Sequence, residues 1–239
     1  MIGIAFAVKH EAKELLAALE KKRWEKTPEA LLCTGRIGEK QIAVAIVGMG
    51  RERAARGSEL FLRRFPLRLL ILAGYAGALR PDIQRGQIAV ASNYLDAGSA
   101  LWFSGGEVPE LRIATTDVVV GDPESRRKLA EETNADLVDM ETDAVASVAR
   151  ARGVPFVSLR VVTDGFEDRL PVDAIAAAWE SEGGTVRALP LTIYLATHPG
   201  EIGPLLRFAR FLPEARHRLT RRLLELVYSL GGGGGTSGI

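Results

Sequence analysis

Residues 69–73 read Leu-Leu-Ile-Leu-Ala, with no polar residue among them. So short a run, apolar at every position, is a strand buried on both faces, the habit of a central parallel strand covered by helices on each side. It gives way to Gly74-Tyr75-Ala76-Gly77, where the strand is expected to end. The flanking patterns agree. Residues 2–8 form another apolar run, and after it Ala12, Leu15, Leu16 and Leu19 recur at the spacing of one helix face. Residues 31–36 and 40–47 read as a hairpin, Gly48-Met49-Gly50 as a turn and 51–65 as a helix with a basic face. Further strands are expected at 87–92, 112–115, 136–139 and 155–162, with helices near 123–133 and at 141–152. This alternation predicts an α/β fold, a three-layer α/β/α sandwich. In such sheets ligands lie beyond the carboxyl ends of the strands, so the chemistry is sought there.

The 239 residues suffice for one well-buried domain, placed over 1–230. Basic and acidic side chains number 31 and 30, giving a net charge of +1. A chain that reads polyanions through its overall field is more basic, so nucleic acid is not an expected partner. Cys33 is the only cysteine, which fits a reducing, cytoplasmic setting. The apolar start, Met1 to Val8, is short, lacks a preceding basic stretch and reads as a buried strand rather than a signal peptide. No run reaches the roughly 18 apolar residues a membrane span requires. Residues 231–239, which open with five glycines, are expected to be a flexible tail outside the fold.

Three acids stand where strands give way to the next element: Glu11, Glu141 and Asp164. Each alone has an ordinary explanation. An acid in a first helical turn complements the macrodipole by about 0.3–1 kcal/mol, and Asp164 before Gly165 can be a plain turn. All three at one sheet edge is a stronger pattern, because that edge is where these sheets hold ligands.

The same segments resemble the purine nucleoside phosphorylase superfamily, nearest its methylthioadenosine/S-adenosylhomocysteine nucleosidases. The resemblance runs through Ile2-Gly3-Ile4 with Glu11, Val47-Gly48-Met49-Gly50, Ala73-Gly74-Tyr75-Ala76-Gly77-Ala78 and Gly86-Gln87-Ile88-Ala89-Val90. It continues through Asp139-Met140-Glu141 with Ala144, then Pro155-Phe156-Val157, Arg160 and Thr163-Asp164. The likeness covers roughly 2–168 in the same order, and the last two segments are its most specific part. It implies a central mixed, partly barrel-like sheet, a small-molecule nucleoside substrate, a homo-oligomer, and neither cofactor nor metal.

The resemblance also implies roles. Breaking an N-glycosidic bond leaves a cation-like ribosyl and a poor purine anion, and a proton delivered to N7 removes that anion. Asp164 would be the general acid, raised in pKa by a dry pocket. Glu141 would accept the ribose hydroxyls, Met140 would pack on the sugar, and Glu11 would activate water, a division of labour like that of glycosidases. Val119 and Val120 align with the residues that pack on the base. Ala76 and Gly77 would line the pocket where backbone approaches closely, with Thr163 and Tyr75 beside them. Tyr75 stands where these proteins carry a small serine.

Water is favoured over phosphate as nucleophile. Lys9-His10-Glu11 occupies the place of the phosphorylases' Gly-Asp-Pro-x-x-Arg segment, and an anionic Glu11 would repel phosphate. Arg51 follows Gly50 and could meet an anion at a helix N-terminus, although a solvated helix arginine is the plainer reading. A phosphorylase and a non-catalytic binding module remain as alternatives. The stretch 188–229 is apolar and arginine-rich and resembles phosphorylase-like proteins of hopanoid synthesis, which are thought to release adenine from adenosylhopane. That resemblance implies a greasy 5′ substituent and peripheral membrane contact through 188–229; a dimer contact or an ordinary packed helix explains the stretch equally well. His198 and His217 read as surface residues without a role.

Overall fold

The computed structural model describes residues 1–100, 108–178 and 188–230. Their order is β1 (Ile2–Phe6), α1 (Lys9–Ala18), β2 (Glu20–Lys26), β3 (Leu31–Ile37), β4 (Lys40–Ile46), α2 (Arg51–Arg64) and β5 (Leu69–Ala78). There follow β6 (Ile88–Ala91), α3 (Ala97–Ala100), β7 (Glu110–Leu111), β8 (Ile113–Thr115), α4 (Pro123–Thr133) and β9 (Leu137–Asp139). The chain closes with α5 (Thr142–Ala151), β10 (Phe156–Asp164), α6 (Val172–Ala178), α7 (Ala188–Thr197) and α8 (Ile202–Ser229). The glycine-rich tail lies outside the described residues.

The sheet runs β2-β3-β4-β1-β5-β10-β6-β7 and is mixed. β1 pairs in parallel with β4 and β5, and β10 in parallel with β5. The β3–β4 hairpin and the β6–β10 pair are antiparallel. Along β5 the buried run sorts its side chains by parity. Leu69, Ile71 and Ala73 join a core under α1 and α8, while Leu70 and Leu72 join a second core under α2 and α5. Burial on both faces is why this strand shows no polar alternation. The expected layers are present.

Several boundaries differ from expectation. β5 does not stop at Gly74 but runs to Ala78, and β10 includes Thr163 and Asp164, so Asp164 ends a strand instead of opening a turn. β2 carries no apolar pattern because it is an exposed edge, Glu-Lys-Lys-Arg-Trp-Glu-Lys, whose charges suit an edge strand. β1 ends at Phe6, leaving Ala7 and Val8 to turn into α1.

One topological feature positions the site. β1 pairs with β5 only through Leu72, whereas β9 pairs with β5 only at Gly77 and Ala78. Between these two neighbours the sheet parts beside residues 73–76. The carboxyl ends of β1 and β9 face one another across that parting.

Candidate functional site

A cavity of about 160 Å³ opens where the sheet parts. The residues expected from the sequence to act on or bind the substrate all line it: Glu11, Tyr75, Ala76, Gly77, Val119, Val120, Met140, Glu141, Thr163 and Asp164. Met49, Thr116, Val118, Leu170, Ile175 and Phe208 complete much of the wall and are apolar except for Thr116.

Glu11 reaches the cavity from the first turn of α1. Its Oε2 accepts the Val8 N–H at 3.1 Å, so it does serve its own helix. Its Oε1 crosses the parting to accept the Tyr75 N–H at 3.1 Å, a β5 amide that β1 leaves unpaired. Burial pushes its pKa up to about 7 against the pull of Arg160 and of the amides of Val8 and Tyr75. Glu141 is the N-cap residue of α5, yet its side chain makes no cap bond there. Its Oε1 instead accepts the Gly50 N–H at 2.9 Å, at the N-terminus of α2. Burial and the neighbouring Asp139 carboxylate hold its pKa above the ordinary range.

Asp164 is also buried, which raises its pKa, but it is not alone. Arg126 Nη2 donates to its Oδ2 at 2.5 Å and Thr163 Oγ1 donates to its Oδ1 at 2.7 Å. Both partners oppose the effect of burial.

Beneath the cavity floor, Arg160 rises from β10 and is fully buried. Its Nη2 donates to Asp139 Oδ2 and, at 2.9 Å, to Thr142 Oγ1; its Nε donates to Ser158 Oγ at 3.1 Å. Its Nη1 has no hydrogen-bond partner among the described residues. A side chain at Gly74 would collide with that Nη1 and stand 2.9 Å from Glu11 Oε1, so glycine there lets guanidinium and carboxylate approach one another. Glu11, Asp139 and Glu141 thus crowd one guanidinium, and burial favours a proton on Glu11 or Glu141.

Sequence reasoning gave Arg160 and Asp139 no role and missed Arg126 altogether. An arginine within the apolar strand 156–162 was a usable signal for the first. Arg126 carried none: it sits in Ser125-Arg126-Arg127-Lys128, and its two basic neighbours are exposed.

A further network was missed. Arg216 of α8 donates through Nε to Glu14 Oε1 at 2.9 Å, and its Nη1 lies 2.7 Å from His10 Nε2. A guanidinium only donates, so His10 Nε2 accepts and its hydrogen sits on Nδ1, 3.4 Å from the Tyr75 hydroxyl. Burial and Arg216 lower the His10 pKa, which suits this neutral form. The chain Glu14–Arg216–His10–Tyr75 ties α8 to α1 and to the cavity wall.

Arg51 does not reach the cavity. It binds Asp143 at 2.6 Å, Asp117 at 3.0 Å and the Thr115 carbonyl at 2.6 Å, and it is partly exposed. No lysine or arginine is among the described residues lining the cavity. His198 stacks on Tyr194 and His217 meets Glu14, both at the surface. Of the 188–229 element, Phe208 lines the cavity; Ile202 and Leu206 are exposed, and the half from Ala215 to Val227 packs into the core. Among the described residues, no helix is long and apolar enough to cross a membrane.

Comparison with known proteins bears on the family and the fold. The profile of the Phosphorylase superfamily matches residues 1–112 and 104–189. A 5′-methylthioadenosine/S-adenosylhomocysteine nucleosidase of Staphylococcus aureus (strain MRSA252) is 26% identical over 196 residues, covering 69% of this chain and 86% of its own. An S-adenosylhomocysteine nucleosidase from Streptococcus pyogenes, solved with 5-methylthiotubericidin, superposes with a TM-score of 0.69 at 19% identity over 96% of each chain. A futalosine hydrolase mutant of Helicobacter pylori gives 0.72 at 19% identity over 95% of this chain and 98% of that one. At such identity the two structures speak to the fold. The profile match spans most of the chain and takes in all three acids: the chain belongs to the Phosphorylase superfamily.

Proposed function

We propose that this chain hydrolyses the N-glycosidic bond of a 5′-substituted adenosine and releases adenine. The observation that carries the reading is the meeting of Glu11, Glu141 and Asp164 at one largely apolar cavity. In this reading Asp164 gives a proton to N7, the C1′–N9 bond breaks with its electron pair going to the purine, and the base leaves neutral. Glu141 accepts the ribose hydroxyls and faces the developing positive charge, with Met140 against the sugar. Water attacks C1′ and gives its proton to Glu11. Arg160 stands behind Glu11 and favours its ionised form. Val119 and Val120 pack on the base, while Ala76, Gly77, Thr163 and Tyr75 shape the pocket around it.

Water is favoured over phosphate because an anionic nucleophile would meet acids and no lining cation among the described residues. Named nucleosidases among the relatives support the same choice. For the 5′ group we take an apolar substituent, adenosylhopane being the substrate to try first. Its support is Phe208 in the cavity wall and the exposed Ile202 and Leu206 on the same half of α8. In this reading the enzyme is a cytoplasmic homo-oligomer whose 188–229 element touches the membrane surface through Ile202, Leu206, Arg207 and Arg210.

The test is to incubate the protein with methylthioadenosine, adenosylhomocysteine, inosine and adenosylhopane, with and without phosphate, and to follow free base. Release that needs no phosphate is expected, greatest for the apolar 5′ group. Release that requires phosphate would make the chain a phosphorylase, and binding without release would make it a nucleoside-binding module.

A further inference from the structure

Arg126 is the largest side chain of α4 with no contact to solvent. It stands at the end of that helix's first turn, whose start is fixed by Asp122 accepting the amides of Glu124 and Ser125, both at 3.0 Å, with Pro123 following the cap. A cation there opposes the helix dipole, and a guanidinium taken out of water needs partners to compensate. Its partners are the Ala78 carbonyl at 3.0 Å from Nη1 and Asp164 Oδ2 at 2.5 Å from Nη2. The backbone is shaped for this pair. A Cβ on Gly77 would stand 2.6 Å from Asp164 Oδ2 and 2.9 Å from Arg126 Nη1, so a side chain at that position would drive the two apart.

We propose that Arg126 is a positioning residue for departure of the base: it fixes the Asp164 carboxyl from behind and takes up the negative charge left there when the proton passes to the purine. This rests on Asp164 being the acid, as read above. The step balances simply. Asp164 loses a proton to N7, the C1′–N9 electron pair goes to the purine, and the carboxylate left behind is reprotonated from water. A carboxyl in an apolar wall with no cation behind it would hold its proton too tightly to pass it on. A guanidinium already in place stabilises the carboxylate as it forms and needs no reorganisation. The other groups facing Asp164 cannot substitute. Thr163 Oγ1 is a neutral donor, and Asp168, held by Arg85, carries the wrong charge.

The test compares the wild-type chain with Arg126→Met, Arg126→Lys and Asp164→Asn across pH, following adenine release. Arg126→Met is expected to lower kcat by roughly 10²-fold while KM moves by no more than about threefold, because Arg126 does not line the cavity. The upper limb of the kcat/KM profile should move upward by about one pH unit or more, and Arg126→Lys should recover part of both effects. A fall in kcat with an unmoved limb makes the residue merely structural and overturns the proposal, as does wild-type turnover in Arg126→Met. If Arg126→Met does not fold, Arg126→Lys carries the same comparison, with about a tenfold loss and a smaller upward shift expected. Asp164→Asn separates the two claims. Full activity there sinks the reading of Asp164 itself, whereas its loss beside normal Arg126 variants sinks only the role of Arg126.

Discussion

At the scale of single residues, the three carboxylates differ in what they are bonded to, and that sets their protonation. Glu11 must be ionised to take a proton from water, and its pKa stands at about 7. Turnover is therefore expected to fall as the pH drops through about 7; a profile flat from about pH 5 to 8 would contradict the assignment. Glu141 accepts one amide hydrogen bond, so Glu141→Gln keeps the bond to Gly50 and removes a buried charge. Its folded pKa lies above the unfolded value, so the folded state binds the extra proton and the native glutamate costs stability as pH rises. Glu141→Gln should accordingly raise the thermal midpoint at about pH 9, by an amount worth on the order of 1–3 kcal/mol, with the gain fading towards about pH 5. Melts at the two pH values check the sign, while activity should drop because the ribose hydroxyls lose a charged acceptor.

At the scale of elements, β10 and α8 carry most of the consequence. Arg160 within β10 is balanced chiefly by Asp139 at the end of β9. Asp139→Asn strands a buried guanidinium and should cost about 3 kcal/mol in a urea melt; a loss below about 1 kcal/mol would mean that Glu11 and Glu141 carry the balance instead. α8 is bound to the core by its second half and offers Phe208 to the cavity from its first. Phe208→Ala should raise KM about tenfold for a long apolar 5′ substituent and leave adenosine nearly untouched; equal effects on both would remove Phe208 from the 5′ side. Sequence periodicity made most of the strands and helices legible, because each rests on a local pattern of burial; the exposed edge β2 showed none, and the three acids were legible from their place after strands and from the family resemblance. The parting between β1 and β9 was not legible, since it depends on where two strands distant in the chain stop pairing with β5. Nor was Arg126, whose neighbours are solvated cations of the same kind, nor the bond of His10 to Arg216, which joins residues 206 apart.

At the scale of the whole molecule, the sheet parts where the cavity opens, and the residues given catalytic and sugar-binding roles there come from β1–α1, β5, β9–α5 and β10. The fold brings four segments together so that one ligand can touch acids from three of them. The central claim is that convergence, and a crystal structure tests it most directly: the protein with a C-nucleoside analogue of adenosine that carries a proton at N7 and cannot be cleaved. The account predicts Asp164 within hydrogen-bond reach of N7, Glu141 on the ribose hydroxyls, and Glu11 on a water facing C1′. An analogue seated elsewhere, or seated in the cavity with any of the three carboxylates out of reach of its assigned atom, would contradict it.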